Sequence, residues 1–130
     1  MAYRLIPRSG QHYLSPRDVV ARLLTEFGYV ASSDEDGRRY VRAVIQALHD
    51  MKGQSHVPVY EEYIDRLRIA EREAVYVYFG DPASGTLPLG VCVIPGQPLF
   101  FTVPAGTERG ALKTLLMRCA SSLHYELVED

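Results

Sequence analysis

Apolar residues recur at helical spacing through the first half of the chain and switch to strand-like runs after Ala74. Ser15 is placed to cap a first helix, with Pro16 at the first helical position and Asp18 completing an S-x-x-D pattern. Behind it Val20, Leu23, Leu24 and Phe27 share one face, and Gly28 ends the run. Ser32 and Glu35, three apart, mark a second helix start. The stripe Val41, Val44, Ile45, Leu48 and Met51 carries that helix to about Met51. Tyr40, Ala43 and Ala47 widen the stripe, so this is expected to be the most enclosed helix. Gly53 stops it, and Pro58 opens a third helix on which Tyr60, Tyr63, Ile64 and Leu67 keep the spacing.

The run 74–79 is β-branched and aromatic, and the loop 80–85 after it is rich in turn residues. Further strands are expected at 89–94 and 99–103. Between them Pro95-Gly96-Gln97-Pro98 fits a type II turn, which predicts a tight hairpin and three consecutive antiparallel strands. Thr107 is placed to cap a last helix with Leu112, Leu115, Leu116, Cys119 and Leu123 along one side. Short strands are expected at 3–6 and 124–128. Residues 1–130 therefore read as a single α+β domain, a mainly antiparallel sheet of three to five strands packed with about four helices.

Within the run 74–79 strand alternation separates Val75, Val77 and Phe79 from Ala74, Tyr76 and Tyr78, so neither face is polar. Helices on both sides would cover both faces. Helices on one side would leave Tyr76 and Tyr78 as an interaction surface for a second subunit or a ligand. This surface motivates the leading expectation, a small non-catalytic binding protein acting as a homodimer or partner-binding module.

Charge narrows the partners. The net charge of -2, with 47% hydrophobic and 23% charged residues, gives no global attraction to nucleic acid or to an anionic membrane. The densest basic patch, Arg38, Arg39 and Arg42, follows directly on Asp34, Glu35 and Asp36, and no nucleic-acid motif surrounds it. The first residues form neither a signal peptide nor a membrane anchor, so a cytoplasmic location is expected. Cys92 and Cys119, both in apolar contexts, suit buried free thiols, although spacing alone also permits a bridge between them.

No cluster assembles a nucleophile with a base or a full set of metal ligands. The sequence Asp34-Glu35-Asp36-Gly37 resembles part of a calcium loop, but Ala43 falls where the closing glutamate belongs, so helix capping accounts for the acids. His49 and His56 lie seven apart with Gly53 between them, and no metal is expected. Glu62 and Arg66, and Asp65 and Arg68, have the spacing of surface ion pairs.

The segment 104–111 joins a strand to the last helix. There Gly106, Thr107, Arg109 and Gly110 could hold a phosphate or carboxylate on backbone N–H groups, as in an anion- or nucleotide-responsive regulatory domain. The plainer reading is an ordinary capped helix start. Arg109 and Gly110, the helix beginning Ala111-Leu112-Lys113-Thr114-Leu115-Leu116, and Gly90 in a preceding strand give residues 74–128 a pattern that resembles the core of acyl-CoA N-acyltransferases. That resemblance implies an acyl-CoA cofactor with its pyrophosphate at this turn. The second glycine of the family's signature is absent, since Ala111 follows Gly110. Outside the resemblance, no cofactor is expected.

Overall fold

The structure, a computed structural model, describes residues 2–52, 59–84, 88–102 and 108–129. Gly53, His56, Pro58, Gly106 and Thr107 lie outside the described residues. The elements run β1 (Ala2–Pro7), α1 (Pro16–Glu26), β2 (Tyr29–Ser33), α2 (Asp34–Lys52), α3 (Val59–Ala70), β3 (Val75–Gly80), β4 (Leu89–Val93), β5 (Leu99–Thr102), α4 (Arg109–Leu123) and β6 (Tyr125–Glu129). Short 3₁₀ turns cover Glu71–Glu73 and Pro82–Ser84. The protein is α+β, with two three-stranded antiparallel sheets ordered β5-β1-β6 and β2-β3-β4.

Local chemistry sets the helix starts. Ser15 Oγ accepts from the Asp18 N–H at 3.2 Å, and Pro16 opens α1, as its preset φ allows. For α2 the cap is Ser33, whose Oγ accepts from the Asp36 N–H at 3.0 Å. Ser32 is instead the last-but-one residue of β2, paired with Val77. This strand was not among those expected, because Tyr29-Val30-Ala31 is a short run between a glycine stop and a capping signal. Helix α4 is capped by Glu108 rather than by Thr107.

The main core lies where α1 and α4 cover one face of both sheets. Tyr3 and Leu5, Val77 and Phe79, Val91 and Val93, Leu99 and Phe101, and Tyr125 meet Val19 and Leu23 of α1, Phe27 just after it, and the buried side of α4. Phe79 is its centre, with ring centroids 5.0 Å from Phe27 and 6.1 Å from Phe101. Each large apolar side chain buried here contributes about 1.5–3 kcal/mol. A smaller core of Val41, Leu67, Ala74, Cys92 and Ile94 sits on the opposite face of the sheet β2-β3-β4, under α2 and α3.

Two expectations change in consequence. Helix α4, with six buried residues, is the most enclosed, whereas in α2 Tyr40 is 42% and Met51 48% exposed and Val41 is the stripe residue fully buried. The reason is that α2 covers part of one three-stranded sheet, while α4 packs into the larger core. The second change concerns the hairpin. The Gln97 N–H does donate to Ile94 O at 3.1 Å, and Gly96 takes φ +73°, as a type II turn requires. Beyond the turn, β4 ladders with β3 and β5 ladders with β1, so β3, β4 and β5 are not three consecutive neighbours. Pro98, the residue placed to open a ladder with β4, has no N–H to donate. The returning C-terminal strand β6 pairs with β1 from Tyr3↔Glu129 to Pro7↔Tyr125.

Candidate functional site

The parting of β4 from β5 leaves a cavity of about 310 Å³, lined among others by Tyr40, Tyr76, Gly90, Cys92, Phe100 and Thr102. Its construction follows from strand alternation and one close helix approach. Tyr76 and Tyr78 point away from the main core; Cys92 lies opposite Tyr76 in register and Gly90 opposite Tyr78. Helix α2 crosses the start of β3 so tightly that a Cβ on Gly37 would lie 2.5 Å from Ala74 O, and the Cys92 thiol donates to Gly37 O at 3.8 Å. That approach brings Asp36 and Tyr40, one turn apart on α2, over the tyrosine side of β3.

The rings form a continuous aromatic surface. The centroids of Tyr40 and Tyr76 are 6.0 Å apart with planes at 61°, and those of Tyr76 and Tyr78 are 5.0 Å apart at 41°. Tyr78 Oη donates to Asp36 Oδ2 at 3.5 Å. On the other side of the cleft Phe100 is 49% exposed, although it lies in a strand. Gly90 forms the floor, since a Cβ there would meet Tyr76 Cε1 at 2.8 Å. Desolvation, followed by the neighbouring Tyr78, Tyr40, Cys92 and Asp36, pushes the Tyr76 phenol above its ordinary value; desolvation, then Cys92 and Tyr63, does the same to Tyr40. Burial pushes the Cys92 thiol up to about 12. At neutral pH these groups are all protonated.

Of the residues singled out from sequence, Tyr76 and Tyr78 thus stand together, Tyr76 half-buried against α2 and Tyr78 exposed. Helices do reach the tyrosine side of β3, but they leave its cleft end open. Arg109 and Gly110 lie in the exposed first turn of α4. The N–H groups of Gly110 and Ala111 donate to the Glu108 carboxylate at 2.8 and 2.7 Å, which holds that carboxyl below its ordinary value. An anion at this turn would have to displace Glu108.

The other sequence signals resolve into structure. Asp34, Glu35 and Asp36 are the first turn of α2. Arg39 pairs with Glu35 at 2.7 Å and Arg42 with Glu71, which removes much of the basic patch. Asp65 pairs with Arg68 at 3.7 Å, while Arg66 lies over the Tyr63 ring, 6.0 Å from its centroid. His49 Nε2 is 3.1 Å from an Arg68 nitrogen, and no group of metal-binding residues occurs among the described residues. Cys92 and Cys119 are free thiols in separate cores on opposite faces of the sheet, which removes the option of a bridge. Two larger hollows, of about 710 and 580 Å³, flank Arg72, but arginines and acids share their walls, so neither presents one chemistry.

Sequence reasoning missed Tyr40, Asp36, Gly90 and Phe100 as parts of one site. The available signal was the spacing of Asp36 and Tyr40, which places both on one helical face. Comparison with known protein families, with curated proteins and with solved structures finds no match for the chain. No helix among the described residues is long and apolar enough to cross a membrane.

Proposed function

We propose that the protein is a cytoplasmic, non-catalytic binding module that engages a protein partner, a second copy of itself or another chain, through the aromatic cleft between β4 and β5. The observation that carries this reading is the parting itself. Two strands joined by a five-residue connection each ladder on one side only, and aromatic rings line the space between them. Open strand edges accept an extended segment by backbone hydrogen bonds, and a pocket beside them supplies specificity for a side chain. Protonated phenols and a thiol at about 12 offer contact and hydrogen bonding rather than proton abstraction at neutral pH. Two buried free cysteines suit a reducing compartment.

The test is a selection of displayed random peptides against the folded protein, run beside light scattering over a range of concentrations. The reading expects either peptides that bind the native protein and lose binding to Gly90→Val, or a dimer mass that the same variant abolishes while keeping its native circular dichroism. A protein that stays monomeric and selects no peptide sensitive to Gly90→Val would overturn it.

A further inference from the structure

The outer edge of a sheet presents backbone groups without a ladder partner, and proteins ordinarily protect it with charge, proline, a bulge or a covering element. The edge strand β6 is protected: Glu126 and Glu129 are exposed along it, and Arg8 Nε donates to Tyr125 O at 3.4 Å. The strand β2, at the end of the order β2-β3-β4, has none of these devices. Tyr29-Val30-Ala31-Ser32-Ser33 carries no charge and no proline, and its register with β3 runs unbroken from Tyr29↔Gly80 to Ser33↔Tyr76, so no bulge turns the edge aside. Among the described elements, those packed closely on β2 are β3 at its paired side and α1 over its core face.

Apolar side chains flank this open edge on both faces of the sheet. Strand alternation puts Tyr29, Ala31 and Ser33 on the tyrosine side, and Tyr29 is 42% exposed. Over the other face runs α1, where Arg17, Val20 and Leu24 share one flank at spacings of three and four. The opposite flank carries Glu26, held by Arg118 of α4 at 3.1 Å, whereas Arg17 and Val20 line a hollow with Ser32 of β2. The Leu24 flank therefore overlooks the free edge, and Leu24 is 58% exposed.

A second copy of the chain fits this edge. In an antiparallel pairing centred on Ala31, Ala31 faces its own counterpart, Tyr29 faces Ser33 and Val30 faces Ser32. The larger side chains meet small ones, no like charges meet, and either alternation of the backbone supplies about four to six hydrogen bonds. The two-fold axis also sets the two α1 helices side by side, which covers Leu24. Pairing through β6 would instead gather glutamates from both copies along one seam. We propose that the protein forms a two-fold dimer through β2, joining two three-stranded sheets into one ordered β4-β3-β2-β2-β3-β4. The edge is separate from the cleft, which is then left for another chain. The seam is short, so the dimer belongs with weak interfaces that bury less than about 1,200 Å².

The experiment is light scattering of the full chain from about 10 μM to 1 mM, the weak-affinity range, where the mass is expected to rise from monomer towards dimer. Ala31→Lys and Ala31→Glu each place like charges directly opposite one another. Each should stay monomeric with native circular dichroism, and an equimolar mixture of the two should recover the dimer. Leu24→Glu, at an exposed helix position, should weaken association about ten-fold or more without touching the strand, and it carries the test if the Ala31 variants misfold. A native chain still monomeric at the highest concentration would overturn the proposal, and displayed peptides that bind such a monomer but not Ala31→Lys would give the edge to another chain. A dimer that neither the Ala31 variants nor Leu24→Glu weaken would also overturn it, and loss of that dimer in Gly90→Val would return the interface to the cleft.

Discussion

Gly90 and Tyr76 share a space that holds a ring or a side chain but not both: a Cβ on the glycine would lie 2.8 Å from Tyr76 Cε1 and 3.2 Å from Tyr78 Cε1. The obstructing atoms are the far ends of flexible side chains, so a methyl at this position displaces rings rather than backbone. Gly90→Ala is therefore expected to change stability by about 1 kcal/mol or less while narrowing the cleft. Urea melts compared with binding of the selected peptides would separate the two effects. A loss of stability above about 3 kcal/mol would show that the rings are fixed.

Gly37 presents the opposite case. It sits in the first turns of α2, where alanine is ordinarily better than glycine by about 1 kcal/mol. Here the new Cβ would lie 2.5 Å from Ala74 O and 2.7 Å from Val75 Cα, which are backbone atoms. Contact wins over propensity, and Gly37→Ala is expected to destabilise by about 1–3 kcal/mol. Because Tyr40 rides on the same helix, the variant should also shift the Tyr40 and Tyr76 ring signals. A gain in stability in a urea melt would contradict the close crossing.

Periodicity read the helices well because each buries a face against something local in its own pattern. The stripe Leu112, Leu115, Leu116, Cys119 and Leu123 is buried throughout, and Ser15 caps α1 as its spacing suggests. What periodicity could not carry was which strand lies beside which. Leu99-Phe100-Phe101 gives no sign in its own letters that its partner is Tyr3 at the far end of the chain rather than β4 beside it. The candidate site depends on that choice. Strand alternation puts Tyr76 and Tyr78 on one face, to be covered by helices or by a partner, but the cleft exists because β5 leaves β4 for β1, and Gly90 matters because the Tyr76 and Tyr78 rings lie over it. The segment holding Gly106 and Thr107 lies outside the described residues, so of that candidate turn Arg109 and Gly110 alone can be located.

Cys92 and Cys119 are both buried thiols, each pushed up to about 12 by burial. A rise of that size from the ordinary value of 9.0 lowers the thiolate fraction at neutral pH by about three orders of magnitude. Folded protein is expected to react slowly with a chromogenic disulfide reagent at pH 7–8, and protein unfolded in urea to react at once at two sites. If a ligand occupies the cleft, Cys92 should become slower still while Cys119, in the other core, stays unchanged. Rapid reaction of either thiol in the native protein would contradict the packing of its core.

Glu108 supplies the remaining prediction through its pH dependence. Its carboxylate accepts the N–H groups of Ala111 and Gly110, and these bonds favour the charged form, so the folded protein holds its proton less tightly than the unfolded chain does. A depressed carboxyl contributes stability that is fully present above its unfolded value of about 4.3 and is lost as pH falls through the lower folded value. Carbon-detected titration of the Glu108 carboxyl should show a midpoint below that unfolded value. Hydrogen exchange at the first turn of α4 should quicken across the same acid range. In Glu108→Gln the amide oxygen can still accept one N–H, so the turn keeps its structure while its acid dependence flattens. The same variant bears on the anion-site and acyl-CoA readings, because it removes a negative charge that competes for those N–H groups. Phosphate or acetyl-CoA that stabilises Glu108→Gln but not the native protein would assign the turn to capping in the native state. Stabilisation of the native protein by acetyl-CoA, lost in Arg109→Ala, would instead favour the transferase resemblance over the binding module.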